Sequence, residues 1–193
     1  MSPFPKGFYW GAATSAHQVE GGNHNDWSEW ETSPARLEEL QRRGLDPALY
    51  ISGKACDHYD WYEEDFDIAE SLGHNAHRFS IEWSRIEPEE GKFNEQEIGH
   101  YRKVIQALRA RGIEPFVTLW HWPLPLWVAH QGAWENKRTV DNFARYCERV
   151  AKEFKDEVKY WMVLNEPGYW FANAYVLKKF PAPKSGACLS RKS

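Results

Sequence analysis

Cysteine is scarce in this 193-residue sequence: Cys56, Cys147 and Cys188 form an odd, scattered set with none of the CxxC spacing of zinc or redox sites. They read as reduced thiols of a cytoplasmic protein. Long apolar runs are lacking too. The start, MSPFPKGFYWGAA, has no stretch suited to a secretory signal, and no later segment is long enough to span a bilayer, which argues against a membrane partner. Nor is there an excess of basic charge. A formal net charge of −4 leaves no broad positive surface for nucleic acid. Neither GxGxxG nor a P-loop follows the first apolar segment, where HQVEGGNHNDW stands instead. Finally, no acidic residue follows Glu166.

What the chain does have is aromatic residues. Eleven Trp, nine Tyr and ten Phe make up 16% of a sequence that is 42% hydrophobic, enough for a real core in one medium domain. Most of these rings read as core. Some suit a pocket wall, because ring faces match the C–H faces of sugars while indole N–H groups can bond hydroxyls.

Apolar strand patterns alternate with helical ones. GFYWGAATSA (7–16), NAHRFSIEW, IEPFVTLWHW and VKYWMVLNEP read as strands. Between them come three helical patterns. One carries Tyr59, Tyr62, Phe66 and Ala69, with Gly73 placed as a C-terminal cap. The next opens at Asn94 with Glu97 three residues on and shows Ile98, Tyr101, Ile105 and Leu108 as a stripe. The third carries Val140, Phe143, Cys147, Val150 and Phe154, and YWFANAYVLKKF begins a fourth helix. Four β-α units predict a parallel sheet covered by helices. Without a phosphate-binding turn, a (β/α)8 barrel fits better than a doubly wound sheet, because a barrel gathers functional side chains at the C-terminal ends of several strands. Such residues stand there: His17 and Gln18 after the first strand, His121 and Trp122 after the third, Asn165 and Glu166 after the fourth.

The stretches FYWGAATSAHQVEGG, DHYDWYEEDFDIAESLG, HRFSIEWSRIEPEEGKFN, LWHWPLPLWV and FKDEVKYWMVLNEP resemble, in order, the signatures of glycoside hydrolase family 1, the β-glucosidase family, from about Phe4 to Phe180. The resemblance implies an α/β fold of the (β/α)8 TIM-barrel type, of which residues 1–180 would form the first four β-α units, and retaining hydrolysis of β-linked glucosides or related sugars without cofactor or metal. It further implies Glu166 as the general acid/base, Asn165 against the sugar 2-hydroxyl, Gln18, His121 and Trp122 as binders of sugar hydroxyls, and Arg78 beside the nucleophile.

Chemistry alone leaves alternatives at each position. A general acid must hold its proton near neutral pH, which partial desolvation among Trp161, Tyr169 and Trp170 favours. Yet Asn165 and Glu166 could equally begin a helix, Asn as cap and Glu in the first turn. His121 could be a core histidine, and Arg78 could pair with Glu82. His74 and His77 lack nearby carboxylate or cysteine partners for a metal.

Departures from the family pattern matter as much. Retaining hydrolysis needs two carboxylates about 5 Å apart, and no ENG-like motif follows Glu166. Glu82 is the other carboxylate expected on an inward strand face. The sequence therefore reads as an acid/base half-barrel, nearly inactive alone, whose partner is either a C-terminal barrel half or a second copy. The alternative is a non-catalytic sugar-binding or assembly module. Pro123 stands where relatives often have a polar residue. Residues 181–193 read as a basic, disordered tail. Val117, Leu119 and Val163 are expected to expose apolar area on an uncovered inner face.

Overall fold

In the computed structural model, which describes residues 4–181, three- to seven-residue β-strands alternate with helices. Strand β1 (Gly11–Ala13) leads through the single turn α1 (Ala16–Val19) to α2 (Asp26–Glu31), α3 (Pro34–Arg42) and a 3-10 turn at Pro47–Tyr50, then α4 (His58–Ser71). Next come β2 (Ala76–Ser80), α5 (Trp83–Ile86), α6 (Glu95–Ala110), β3 (Glu114–Trp120), α7 (Leu126–His130) and α8 (Arg138–Phe154). The chain continues through β4 (Tyr160–Leu164), α9 (Pro167–Phe171) and a π-helical turn at Ala172–Val176. The four strands lie in the order β1-β2-β3-β4, every pair parallel. This is the expected run of β-α units, arranged as part of a barrel wall.

Local chemistry explains the main elements. The Asn94 side chain accepts from the Gln96 and Glu97 amides and starts α6. Gly73, at φ +77°, takes the left-handed conformation that ends α4. On α8 the buried stripe is Phe143, Tyr146, Val150 and Phe154, whereas Val140 is 63% exposed. The expected stripe is thus displaced at its start, and Tyr146, not Cys147, is fully buried alongside Val150 and Phe154.

Side chains alternate across the strands. Phe79, Val117 and Leu119 face the helices and join Phe66, Leu108, Tyr146 and Phe154 in one core. Val117 and Leu119 are 0% and 5% exposed, so they do not lie on an open inner face as expected. That face carries Arg78 and Thr118, joined by a hydrogen bond, and at the strands' N-terminal ends it is covered by rings. Phe116 stacks on Tyr160 at 4.4 Å, with Tyr9 edge-on to both. Val163, by contrast, is 53% exposed. The expected basic tail lies outside the described residues apart from Pro181.

Candidate active site

At the C-terminal ends of β2, β3 and β4 the chain brings several of the sequence-predicted residues together. Arg78, on β2, donates from Nε to Thr118 Oγ1 on β3 at 2.8 Å and from Nη2 to Asn165 Oδ1 at 2.6 Å. Asn165 is bound on its other groups too: its amide donates to the Trp120 carbonyl, and its own carbonyl accepts from the Trp122 indole N–H at 3.0 Å. One guanidinium and one indole thus fix the residue that ends β4. Arg78 does not pair with Glu82, which is 4% exposed and accepts from Ser84 Oγ and Asn25 Nδ2. Among the described residues no carboxylate lies within ion-pair distance of Arg78.

His121 follows β3 at the same end. Desolvation, reinforced by the Arg78 charge, lowers its pKa to about 4, so the ring is neutral at neutral pH. Its Nδ1 is buried without a hydrogen-bond partner among the described residues. A neutral imidazole with a free nitrogen suits a hydroxyl that can both donate and accept. Trp122 departs from its expected part. Its indole N–H is committed to Asn165, and its ring stacks on Trp27 and on Tyr169, with Phe180 tilted against it at 5.3 Å.

Glu166 has φ +41° and Trp122 φ +90°, the left-handed region that costs non-glycine residues. Strain at both residues marks the turns where β3 and β4 leave the sheet. Glu166 stands at the N-cap position of α9, yet no side chain caps that helix. A helix does start at this pair, as the alternative held, but with Glu166 and not Asn165 at the cap position, and with Asn165 Oδ1 taken by Arg78. The Glu166 side chain is exposed, so Trp161, Tyr169 and Trp170 do not enclose it as the sequence suggested. Gln18 is exposed as well and sits in the turn α1, five residues past the end of the shortened β1. Its Oε1 accepts from Ser15 Oγ at 2.7 Å, and no hydrogen bond joins it to the β3–β4 group among the described residues.

Sequence reasoning missed the buried groups that hold this α1 turn. His17 Nε2 lies 3.1 Å from both Glu31 Oε1 and Ser52 Oγ, while its Nδ1 meets Asn25 Nδ2 at 3.2 Å. On the other side of Gln18, buried Glu20 meets Arg85 and Tyr101. The only sequence signal was the density of His, Asn and Glu in HQVEGGNHNDWSEWE. His77 faces α4, its Nε2 3.3 Å from Thr14 Oγ1.

The family model described as glycosyl hydrolase family 1 matches residues 1–189. Among curated proteins, beta-glucosidase A of Thermotoga maritima is 39% identical over 174 residues, covering 86% of this chain and 37% of its own length. The 1,4-beta-D-glucan glucohydrolase of Thermotoga neapolitana is 37% identical, with 86% of this chain and 39% of the relative covered. Among solved structures, the beta-glycosidase from Pyrococcus horikoshii superposes with a TM-score of 0.78 at 41% identity, over 92% of this chain and 39% of that one. The chain thus spans under two fifths of the length of these relatives.

Proposed function

The chain belongs to glycosyl hydrolase family 1, and from that premise we propose that it supplies the acid/base side of a retaining β-glycosidase site, with the nucleophile contributed by β-α units outside this chain. The observation that carries the reading is the junction of β2, β3 and β4. There a hydrogen-bonded Asn165 stands beside Glu166, with His121 offering an unpartnered ring nitrogen nearby in the sequence of strand ends.

In this mechanism Glu166, as the acid, gives its proton to the glycosidic oxygen while the bond from that oxygen to the anomeric carbon breaks. A second carboxylate attacks the same carbon and forms a glycosyl ester. Glu166, now ionised, takes a proton from water, whose oxygen displaces the ester. Glu82 is unsuited to the second role, because its carboxylate is buried and already accepts from Ser84 and Asn25. Arg78 suits a neighbour of the missing nucleophile, being a guanidinium with no carboxylate partner among the described residues. Gln18, His121 and Asn165 would bind hydroxyls of a β-linked glucoside or related sugar. Trp122 would act mainly by holding Asn165. Solved structures of relatives include the Thermotoga maritima beta-glucosidase in complex with deoxynojirimycin and a rice beta-glucosidase mutant in a covalent complex with Glc, which supports that substrate class. The unpaired thiols of Cys56 and Cys147 support a reducing, cytoplasmic setting, and no described helix is long and apolar enough to cross a membrane.

The exposure of Glu166 favours one second reading, a non-catalytic sugar-binding or assembly module. Incubation with an aryl β-glucoside separates the two. The chain alone should give no more than trace turnover. Mixed with the four C-terminal β-α units of a relative, it should turn over, and Glu166→Gln should lower that rate by roughly 10²–10⁴-fold. Robust turnover by the pure chain, abolished by Glu166→Gln, would overturn the missing-nucleophile reading. An inactive mixture that still binds glucose through His121 and Asn165 would favour the module.

A further inference from the structure

Two neighbouring residues of α2 reach across to the turn that follows β3. That turn, His121–Pro125, has prolines at 123 and 125, so Leu124 supplies the one backbone N–H of residues 123–125. Leu124 is fully buried, and its N–H donates to Asp26 Oδ1 at 2.7 Å, a contact between residues 98 apart in the chain. The grip is reciprocal, because the Asp26 amide donates to the Leu124 carbonyl at 3.1 Å. Beside it the Trp27 ring stacks on Trp122 with centroids 6.0 Å apart. Asp26 is itself well fixed. It opens α2 directly after Asn25, which forms the reciprocal cap with Ser28, meets His17 Nδ1 at 3.2 Å and donates to Glu82 Oε1 at 3.3 Å. The carboxylate that holds Leu124 is therefore tied to α1 and to the residues that follow β2.

What Asp26 holds is a strained turn. Trp122 has φ +90°, a conformation that persists in a non-glycine residue only where the surroundings over-determine it. Before it, Trp120 ends β3 and its indole donates to the Pro123 carbonyl at 3.0 Å; after it comes the grip on Leu124. Fixed between these points, the Trp122 indole donates to the Asn165 carbonyl at 3.0 Å, and Glu166 is the next residue. We propose that Asp26 is a positioning residue: by gripping both backbone groups of Leu124 it keeps Trp122 in place, and through the Trp122 indole it sets the Asn165–Glu166 turn. That the turn so placed serves acid catalysis rests on the glycosidase reading; the relay of contacts from Asp26 to Asn165 does not.

Amide hydrogen exchange of the whole chain reads the relay by itself. The Asn165 amide, bonded to the Trp120 carbonyl, and the Trp170 amide, bonded to the Glu166 carbonyl, report on the turn without touching Asp26. In Asp26→Ala both should exchange about tenfold faster or more, since the buried Leu124 N–H loses its acceptor, while the Ile98 amide in α6, bonded to the Asn94 carbonyl, keeps its native rate. Asp26→Asn keeps an oxygen at the same reach and should restore the native rates; Asp26→Glu keeps the charge but displaces the oxygen by one methylene and should not. Trp122→Phe removes the indole donor and keeps a ring. It should deprotect the same two amides, and adding Asp26→Ala to it should change them little more, because both substitutions break one relay. Native rates at Asn165 and Trp170 in Asp26→Ala, equal deprotection of Ile98, or additive effects of the two substitutions would overturn the proposal. If Asp26→Ala unfolds the chain, the other two variants decide: native rates in Asp26→Asn with faster exchange in Asp26→Glu support the grip, and equal rates in both overturn it. Turnover of an aryl β-glucoside in the mixture with the four C-terminal β-α units of a relative is the second arm. There Asp26→Ala should lower kcat about ten- to a hundredfold through misplacement of Glu166, and Asp26→Asn should recover it. A native mixture without activity would defeat the glycosidase reading and leave the exchange result to judge the relay; an active mixture whose kcat ignores Asp26→Ala would overturn the positioning role.

Discussion

Gly11 shows how little freedom some single positions have. A Cβ there would stand 1.8 Å from the carbonyl oxygen of Ala76, a backbone atom that can give way only if β1 leaves β2. Gly11→Ala should destabilise by about 3 kcal/mol or more. Gly99, on α6, meets nothing within 4 Å, so Gly99→Ala should stabilise by about 0.5–1 kcal/mol through helix propensity. Denaturant midpoints measured side by side check both. Protonation is the other residue-scale lever. Burial lowers the pKa of His77, His100 and His121 to about 4, while in the unfolded chain they titrate near the ordinary value of about 6.5. Their contribution is complete above pH 6.5 and is lost as pH falls towards 4, since the unfolded chain takes protons the fold refuses. Glu20 works in the opposite sense between its unfolded value and about 7. With three histidines against two carboxylates, Glu20 and Asp26, both raised by burial, the thermal midpoint should fall from pH 7 to pH 4.5, and His77→Gln should flatten the fall. A midpoint independent of pH would mean that water reaches these rings. Of the candidate site, the strand-end residues were legible because strand endings and polar residue types are both visible in sequence. That Trp122 bonds Asn165, and that Glu20 and Arg85 meet across 65 residues, was not, because such pairings depend on how two loops fold over one another.

Elements were legible where periodicity governed them. The α6 stripe Ile98, Tyr101, Ile105 and Leu108 is buried throughout, and its Asn94 cap forms. The α8 stripe was read with Val140 and Cys147 in place of Tyr146, because a hydroxyl weighs against burial in any hydropathy pattern. The structure supplies the reason that hydroxyl can be buried: Tyr146 donates to the carbonyls of Ile81 and Leu119, where β2 and β3 end. Tyr146→Phe leaves these acceptors short of a donor in the core and should cost about 1–3 kcal/mol. Val140→Lys should change stability by less than about 0.5 kcal/mol, since that side chain faces solvent. Equal losses in a chemical denaturation series would return Val140 to the core. The helices α2 and α3 are not among the helical patterns the sequence shows. Both are short and rich in charge, and α2 is held by a reciprocal Asn25–Ser28 cap that sequence periodicity does not report.

For the whole molecule the question is what covers its two strand edges. The expectation of an exposed inner face failed for Val117 and Leu119, which belong to the helix-covered side, and rings close part of the other side. The apolar exposure is displaced to the edges instead. On β4 and after it lie Val163, Leu164, Phe171, Val176 and Leu177, each at least 40% exposed; before β1 lie Phe4, Phe8 and Trp10, 42–47% exposed and packed on one another. Each edge also presents backbone groups with no neighbouring strand among the described residues, which gives a direction to the pairing that apolar area alone lacks. A parallel sheet whose open edges are both apolar should recruit further strands. The chain should therefore associate as its concentration rises through the micromolar range, with mass in sedimentation equilibrium exceeding that of one copy. Val163→Lys, which places a charge at the β4 edge without entering the helix-packed core, should shift that association to higher concentration and leave the thermal midpoint at low concentration nearly unchanged. A single-copy mass at all concentrations, with sharp cooperative unfolding, would show that these edges are stable in water as they stand. An unchanged association in Val163→Lys would move the contact to the aromatic group before β1, where Trp10→Lys is the matching substitution.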